Sequence, residues 1–370
     1  MGFDVVNAVY AASVVFIVFY VYKVPLSYYF FILGHLALVF LTNDFLFPIS
    51  YMGDQHRYIL VASQIRDTLD FLHYYRFDKS MQPGTVPNSA LFFSLFPIPY
   101  LKSVFSIAII NFMLYSFLFV FLYRKKILVG PAIWFYLLFP SLALYAALGL
   151  RDILIFVFMV LSIYYLYKRK ILLSILLSVP LLFIKGQNFL IFILALLLYK
   201  AIEGKRLWRV MTFLKVSVIG GLVGAMIVIF SGIDEINRKR RGMFFEDGGD
   251  PLNYIPITGF EDLLQEGVTG FFYMILKPLP WEAGSMVQLV QSAENILIFY
   301  IIYKLFKHQK KVQDKFVKFL IVYFIVAMAI YGIVVFNFGT AARYKFTFEA
   351  IFIIFSMSIF YKNSGNKKIW

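Results

Sequence analysis

The hydrophobic positions of this chain fall in blocks. Runs of about 20 apolar residues, each the length of one membrane crossing, follow one another with short polar connections between them. They cover residues 5–21, 26–41, 103–123, 127–148, 152–167, 210–230, 286–305, 319–336 and 346–361. None alternates residue by residue, so the pattern predicts helices and not the strands of a membrane barrel. Two stretches depart from the simple block. Residues 91–100 are apolar but carry Pro97 and Pro99, and they read as an interfacial or re-entrant piece. Residues 171–199 are apolar, interrupted mainly at Lys185-Gly186-Gln187-Asn188. The two arms have about 14 and about 11 residues, or about 21 and about 17 Å of helix, against a hydrocarbon core of roughly 30 Å. Lys168, Arg169 and Lys170 precede the stretch, and Lys200, Lys205 and Arg206 follow it. It therefore enters and leaves on one side, with its polar turn at depth inside the protein.

The charges set a topology. The connections at 124–126, 168–170, 200–209, 304–318 and 362–368 carry Lys and Arg, with Glu203 and Asp314 their only acids. Basic connections mark the cytoplasmic side, and strict alternation then gives about 11 transmembrane helices, with the N-terminus outside and the C-terminus in the cytoplasm. The outer face receives two larger loops, 43–89 and 232–270, and the turns at Arg151, Lys185 and Arg343. No repeat or linker divides the chain, which reads as one all-α transmembrane domain over residues 1–370. The first apolar run lacks a basic start and a small-residue cleavage site, so it reads as a retained helix.

Composition narrows the chemistry. Of the 370 residues, 61% are hydrophobic and 20% aromatic, beyond what a soluble domain carries. The net charge of +15 follows from the basic cytoplasmic connections and does not call for nucleic acid. There is no cysteine, which removes disulfides, thiol catalysis and cysteine-ligated metals. With four histidines, no His-Glu-x-x-His, no Asp-x-Asp and no Gly-rich phosphate loop, the chain offers no His-rich metal site and calls for no cofactor; Asp54 with one other carboxylate is the pairing left open.

Five polar clusters stand on the outer face. Gly53-Asp54-Gln55-His56-Arg57-Tyr58 opens a helix with an apolar stripe at Ile59, Ala62, Ile65, Leu69 and Leu72. Asp54 fits an N-cap there; Asp54 or His56 also fits a general base for a sugar hydroxyl, with Arg57 holding an anion. Arg151-Asp152 is a tight turn between long apolar helices. Asp152 can cap the next helix or pair with Arg151, while Arg151 at a helix N-terminus suits a pyrophosphate. Of Lys185, Gln187 and Asn188, either Lys185 snorkels from an ordinary helix end or the cluster lines a cavity. Arg343, Tyr344 and Lys345 place positive charge where the topology rule does not require it. The run from Arg238 to Arg241 is a solvated face or a strip for an acidic glycan or lipid phosphate. The sum is a positively lined cavity, which fits an anionic substrate.

At three of these places the chain resembles bacterial polysaccharide polymerases of the Wzy type, which include O-antigen polymerases and EpsG-like proteins. The pieces are residues 53–58, then Pro140-Ser141-Leu142 through Tyr145 to Leu150-Arg151-Asp152, and Gly339-Thr340-Ala341-Ala342-Arg343-Tyr344. The resemblance implies a GT-C-like glycosyltransferase of the bacterial inner membrane. Such an enzyme joins oligosaccharide repeat units, carried on undecaprenyl pyrophosphate, into O-antigen or capsule at the outer face without a metal. It implies Arg151, Lys185 and Arg343 on the donor pyrophosphate, and Asp54 or His56 on the acceptor hydroxyl. Arg57 and Arg241 would position the second lipid-linked chain, with Asp152, Asn188 and Tyr344 completing the substrate site. Membrane lipid and a chain-length regulator protein are the further partners implied. Loop 232–270 is shorter and less regular than the paired arginine-rich loops of some members. Two other classes fit the same pattern: a GT-C enzyme moving one sugar from a polyprenyl phosphate, and a lipid-linked glycan flippase. The first usually carries an acidic pair in its first outer loop, and the second predicts inverted repeats.

Overall fold

The computed structural model describes residues 2–43, 45–47, 53–77, 85–202, 232–245, 250, 253–308 and 315–363. Among them all regular structure is helical, apart from an isolated bridge between Asn43 and Phe47. In chain order the helices begin with α1 (Gly2–Val21), α2 (Leu26–Thr42), α3 (Asp54–Thr68), α4 (Thr85–Leu95) and α5 (Val104–Arg124). Next come α6 (Pro131–Leu138), α7 (Pro140–Ala147), α8 (Asp152–Tyr167), α9 (Ile171–Ile202) and α10 (232–245). The last four are α11 (Phe260–Leu276), α12 (Met286–His308), α13 (Lys315–Gly332) and α14 (Phe338–Asn363). Six of them, α1, α5, α9, α12, α13 and α14, are long and apolar enough to cross a membrane, and α2 and α8 are shorter apolar helices. The protein is a multi-pass helical membrane protein. The helix expected over 210–230 lies outside the described residues. The chain divides into two compact units, Met1–Phe189 and Leu190–Ile369.

In the first unit the apolar block 127–148, expected as one helix, is two. Pro140 has no N–H to give the carbonyl of Tyr136, and it drives Phe139 out of the helical region to φ −68°, ψ 111°. The carbonyls released at the break are buried, so other donors must meet them. The Tyr115 hydroxyl donates to Tyr136 O at 3.0 Å, and His35 Nε2 lies 2.9 Å from Leu137 O. Nε2 therefore carries the ring proton, and the Tyr115 oxygen, 3.1 Å from it, is a second acceptor. Tyr136 returns its own hydroxyl to Tyr115 O at 2.7 Å. Replacing Tyr115 by phenylalanine leaves the Tyr136 carbonyl buried without this donor, at an expected cost of about 1–3 kcal/mol. A lowered unfolding midpoint in detergent checks this; an unchanged midpoint would refute the substitution of Tyr115 for the missing amide.

α3 begins at Asp54 as the spacing predicts, and ends at Thr68, with Leu69 left-handed at φ 56°. The apolar stripe therefore holds for Ile59, Ala62 and Ile65, which are buried, and fails for Leu69 and Leu72, 70% and 84% exposed. The prolines at 97 and 99 follow a helix that starts earlier than expected, α4. Arg66 closes its C-terminal end. Its Nε and Nη2 donate to Ser94 O at 2.9 and 2.8 Å, Nη2 also to Phe96 O at 2.5 Å, and Nη1 to Ile98 O at 2.9 Å. One guanidinium thus does the work of a C-cap and holds the proline-containing exit. Burial draws its pKa below the ordinary arginine value, opposed by the charge of neighbouring Asp67.

The break in α9 falls where the sequence places it. Lys185 has φ −154°, ψ 80° between two helical arms. The first arm runs antiparallel to α8: Ser174 Oγ donates to Ser162 O at 2.6 Å, and Ile184 O reaches Arg151 at 2.9 Å. A straight helix would carry Asn188 about 6 Å past Arg151. Asn188 Nδ2 instead lies 3.1 Å from Met159 Sδ, so the chain turns back along α8 at Lys185.

In the second unit, residues 232–270, expected as a loop, hold α10 and the start of α11. α11 and α13 cross with their backbones in contact at Gly270 and Gly332, where a Cβ on Gly270 would lie 2.2 Å from Gly332 O. Just before α11, Thr258 donates to Asp262 Oδ2 from its N–H at 2.9 Å and from its hydroxyl at 2.6 Å. The Thr258 hydroxyl and then its N–H, together with that of Gly259, hold the Asp262 carboxyl below its usual range. A depressed carboxylate stabilises the fold above its unfolded value, and the contribution disappears as pH falls through the folded one. Protection of the amides of residues 258–264, taken as observed against intrinsic exchange at each pH, is therefore expected to fall on acidification through the carboxylate range, and Asp262→Asn to remove that dependence.

Candidate functional site

The site of the first unit is built around an unwound turn. Between α7 and α8 the backbone of residues 148–150 leaves helical hydrogen bonding, and three buried amides take over. Asn111 Nδ2 donates to Leu148 O at 2.7 Å and to Leu150 O at 2.6 Å. Asn43 Nδ2 donates to Ala147 O at 2.8 Å, and Gly149 N donates to Gln55 Oε1 at 2.7 Å. Gly149 has no room for a side chain: a Cβ would lie 2.8 Å from the Val104 side chain and 2.9 Å from Val104 O. The turn is therefore fixed by α5, by the end of α2 and by the start of α3.

It presents Arg151, half-buried, at the N-terminus of α8. Nη1 donates to Thr85 O at 3.2 Å and to Ile184 O at 2.9 Å, which ties α8 to the beginning of α4 and to the end of the first arm of α9. The guanidinium carbon lies 5.7 Å from the Tyr58 ring centre. No described residue accepts from Nε or Nη2. Asp152 is buried and occupies the first turn of α8; Arg151, not Asp152, holds the cap position. Lys185 is 8% exposed and Asn188 2%, so these two lie inside the protein as the short arms predict, whereas Gln187 between them is exposed.

The stretch 53–58 divides. Gln55 and Tyr58 face inward, the one on the Gly149 turn and the other buried below Arg151. Asp54 is not the N-cap of α3; Gly53 is, and Asp54 lies in the first turn. Its carboxylate is 3.9 Å from Arg57 Nη1, both groups largely open to solvent, and His56 is exposed. An ion pair of that length and exposure stabilises little.

In the second unit Arg343 and Tyr344 belong to a helix. Asn337 caps α14 by accepting from Thr340 N at 2.5 Å, so the helix starts well before residue 346 and the expected turn is its first two turns. The Tyr344 ring lies 4.8 Å from that of Tyr331. The Arg238–Arg241 run is only in part a solvated strip. Arg238 and Lys239 pair with Glu235, whose carboxyl the Arg238 hydrogen bond holds below its usual range. Arg240 is buried, hydrogen-bonded to Ile333 O and to Glu266, with its guanidinium 4.9 Å from the Phe336 ring centre. Arg241 alone of the four stays exposed without a carboxylate partner among the described residues, 5.3 Å from the Phe245 ring centre.

One constellation was not anticipated. Lys345 Nζ donates to Asn295 Oδ1 at 2.5 Å, with Glu349 and Glu294 within electrostatic reach, and all four side chains are buried between α12 and α14. The signal was present as Glu294 and Glu349 inside apolar runs, where ionisable groups require partners. Among the described residues no group of three or more His, Cys, Asp or Glu side chains could hold a metal ion. No family model, curated protein or solved structure matches this chain.

Proposed function

We propose that the chain is a Wzy-type polymerase, a GT-C-like glycosyltransferase of about 11 helices in the bacterial inner membrane, N-terminus outside and C-terminus cytoplasmic. It would join repeat units carried on undecaprenyl pyrophosphate into O-antigen or capsule. One observation carries the reading: Arg151 is locked in place through one nitrogen while, among the described residues, no acceptor meets the other two. That is the arrangement a pyrophosphate needs from arginine, a planar fork set at a helix N-terminus, with the amides of α8 adding to the positive field. In the reaction an acceptor hydroxyl attacks the anomeric carbon of the donor, and the bond to the lipid pyrophosphate breaks. Arg151 would stabilise the charge that develops on the leaving phosphate, and Lys185, the residue after Ile184, is proposed as a second cation there. For Arg241, Arg343 and Tyr344 the proposed substrate contacts rest on the sequence alone. The test is deletion of the gene in its host, followed by electrophoresis of surface polysaccharide. A product of single repeat length supports polymerisation; an unchanged ladder overturns the reading; complete loss would favour a single-sugar transferase or a flippase.

A further inference from the structure

The acceptor hydroxyl must lose a proton, and the sequence offers Asp54 or His56 for that task. The structure fixes a different imidazole. Beyond α3, His73 Nδ1 lies 3.2 Å from Asp70 Oδ1, and the same oxygen accepts from the His73 N–H at 3.2 Å. Two bonds to one carboxylate oxygen fix the ring relative to the backbone. With Nδ1–H donated to Asp70, Nε2 is the unprotonated nitrogen, and no described residue occupies it. The side chains are 45% and 30% exposed, open enough for a substrate to reach.

The segment that carries this pair is fastened to the Arg151 platform. The hydroxyl of Tyr74, the next residue, donates to Asn88 Oδ1 at 2.5 Å, and Asn88 Nδ2 donates to Phe183 O at 2.9 Å. Asn88 lies one turn along α4 from Thr85, and Phe183 adjoins Ile184; those are the two residues whose carbonyls hold Arg151. The same helix end and the same arm of α9 thus position both the guanidinium and the imidazole.

We propose that His73, oriented by Asp70, is the general base that takes the proton of the acceptor hydroxyl. The inference rests on the polymerase reading and names a group which that reading leaves unassigned. As the acceptor oxygen bonds to the anomeric carbon, its proton passes to His73 Nε2. The lipid pyrophosphate departs with the electron pair of the broken bond, and the imidazolium returns the proton to water. Asp70 is a positioning residue that also stabilises the imidazolium.

The test uses membranes from the deletion strain carrying the full-length protein, supplied with lipid-pyrophosphate-linked repeat units extracted from that strain. His73→Ala is expected to slow chain growth by about 10²–10⁴-fold. Added imidazole should restore part of the rate in His73→Ala and none in Arg151→Ala. Asp70→Asn should lose less than His73→Ala. Wild-type-like growth in His73→Ala, beside loss in Arg151→Ala, overturns the base and leaves the polymerase reading standing. Loss in His73→Ala that imidazole does not relieve also overturns it, since a structural role would look that way. No chain growth with the unaltered protein removes both.

Discussion

Arg151→Ala is expected to end chain growth, with the protein still present in the membrane at its usual level. Two effects must be separated. The structural one is the loss of the bonds from Nη1 to Thr85 O and Ile184 O. Those carbonyls lie at a partly exposed edge, and bonds of this kind contribute about 1–3 kcal/mol. The turn itself is held by Asn43, Asn111 and Gln55 and does not depend on Arg151. The chemical effect is larger. Removing a group aimed at charge that develops in the transition state costs about 10²–10³ in rate. Arg151→Lys separates the two further. A lysine can keep one carbonyl tie or meet a phosphate oxygen, but it has no second arm of the fork to do both. It should leave short ladders where alanine leaves none. Measured ladder length with quantified membrane protein decides the matter, and full-length ladders in Arg151→Ala would refute the phosphate assignment.

A methyl at Gly332, as in Gly332→Ala, is expected to be strongly destabilising to the second unit. A Cβ there would stand 2.3 Å from Gly270 C and 2.5 Å from Gly270 O. These are backbone atoms of a helix, so no side-chain rotation relieves the clash; α11 and α13 must move apart along their crossing. In lipid, close backbone approach between small residues is itself the source of helix association, because no hydrophobic force distinguishes the helix face from the acyl chains. Overpacking elsewhere costs about 1–3 kcal/mol, and this site belongs at or above the top of that range. Gly267→Ala provides the control, since its nearest neighbours are Ile333 side-chain carbons at 3.9 Å. Thermal unfolding in detergent should show a large drop for Gly332→Ala and Gly270→Ala and little change for Gly267→Ala. Equal behaviour of the three would mean the crossing is not tight in solution.

Hydropathy alone located most of the apolar helices, because a run long enough to cross lipid has few alternatives. It also located the break at Lys185, since arms that short cannot span. What it missed was set by single residues acting at a distance. Pro140 lies in an uninterrupted apolar run, and only the donors on Tyr115 and His35 make its break affordable. α14 starts before the apolar run because Asn337 caps it, a local signal that the charges of Arg343 and Lys345 mask in a hydropathy pattern. Of the candidate site, Arg151 and Lys185 were legible as ionisable groups where lipid-facing sequence excludes them. The amides that hold them were not, because Asn43, Gln55 and Asn111 are scattered across three elements and share no spacing. In the sequence His73 and Asp70 are two of several polar residues beside the stripe from Ile59 to Leu72; what sets them apart is Tyr74 and Asn88, which tie that segment to α4 and α9.

The amide clamp on residues 148–150 has an evolutionary consequence. All four of its hydrogen bonds, the one to Ala147 included, engage main-chain atoms, so the polar part of the clamp does not depend on which apolar side chains flank Gly149. Leu148 and Leu150 are themselves buried, so selection can exchange them only for apolar side chains of similar size while the arginine after them stays in register. The persistent positions in distant relatives would be three separated amides, one glycine and one arginine. Such a pattern leaves no contiguous signature, and a search for divergent kin should ask for those five positions in their helical order.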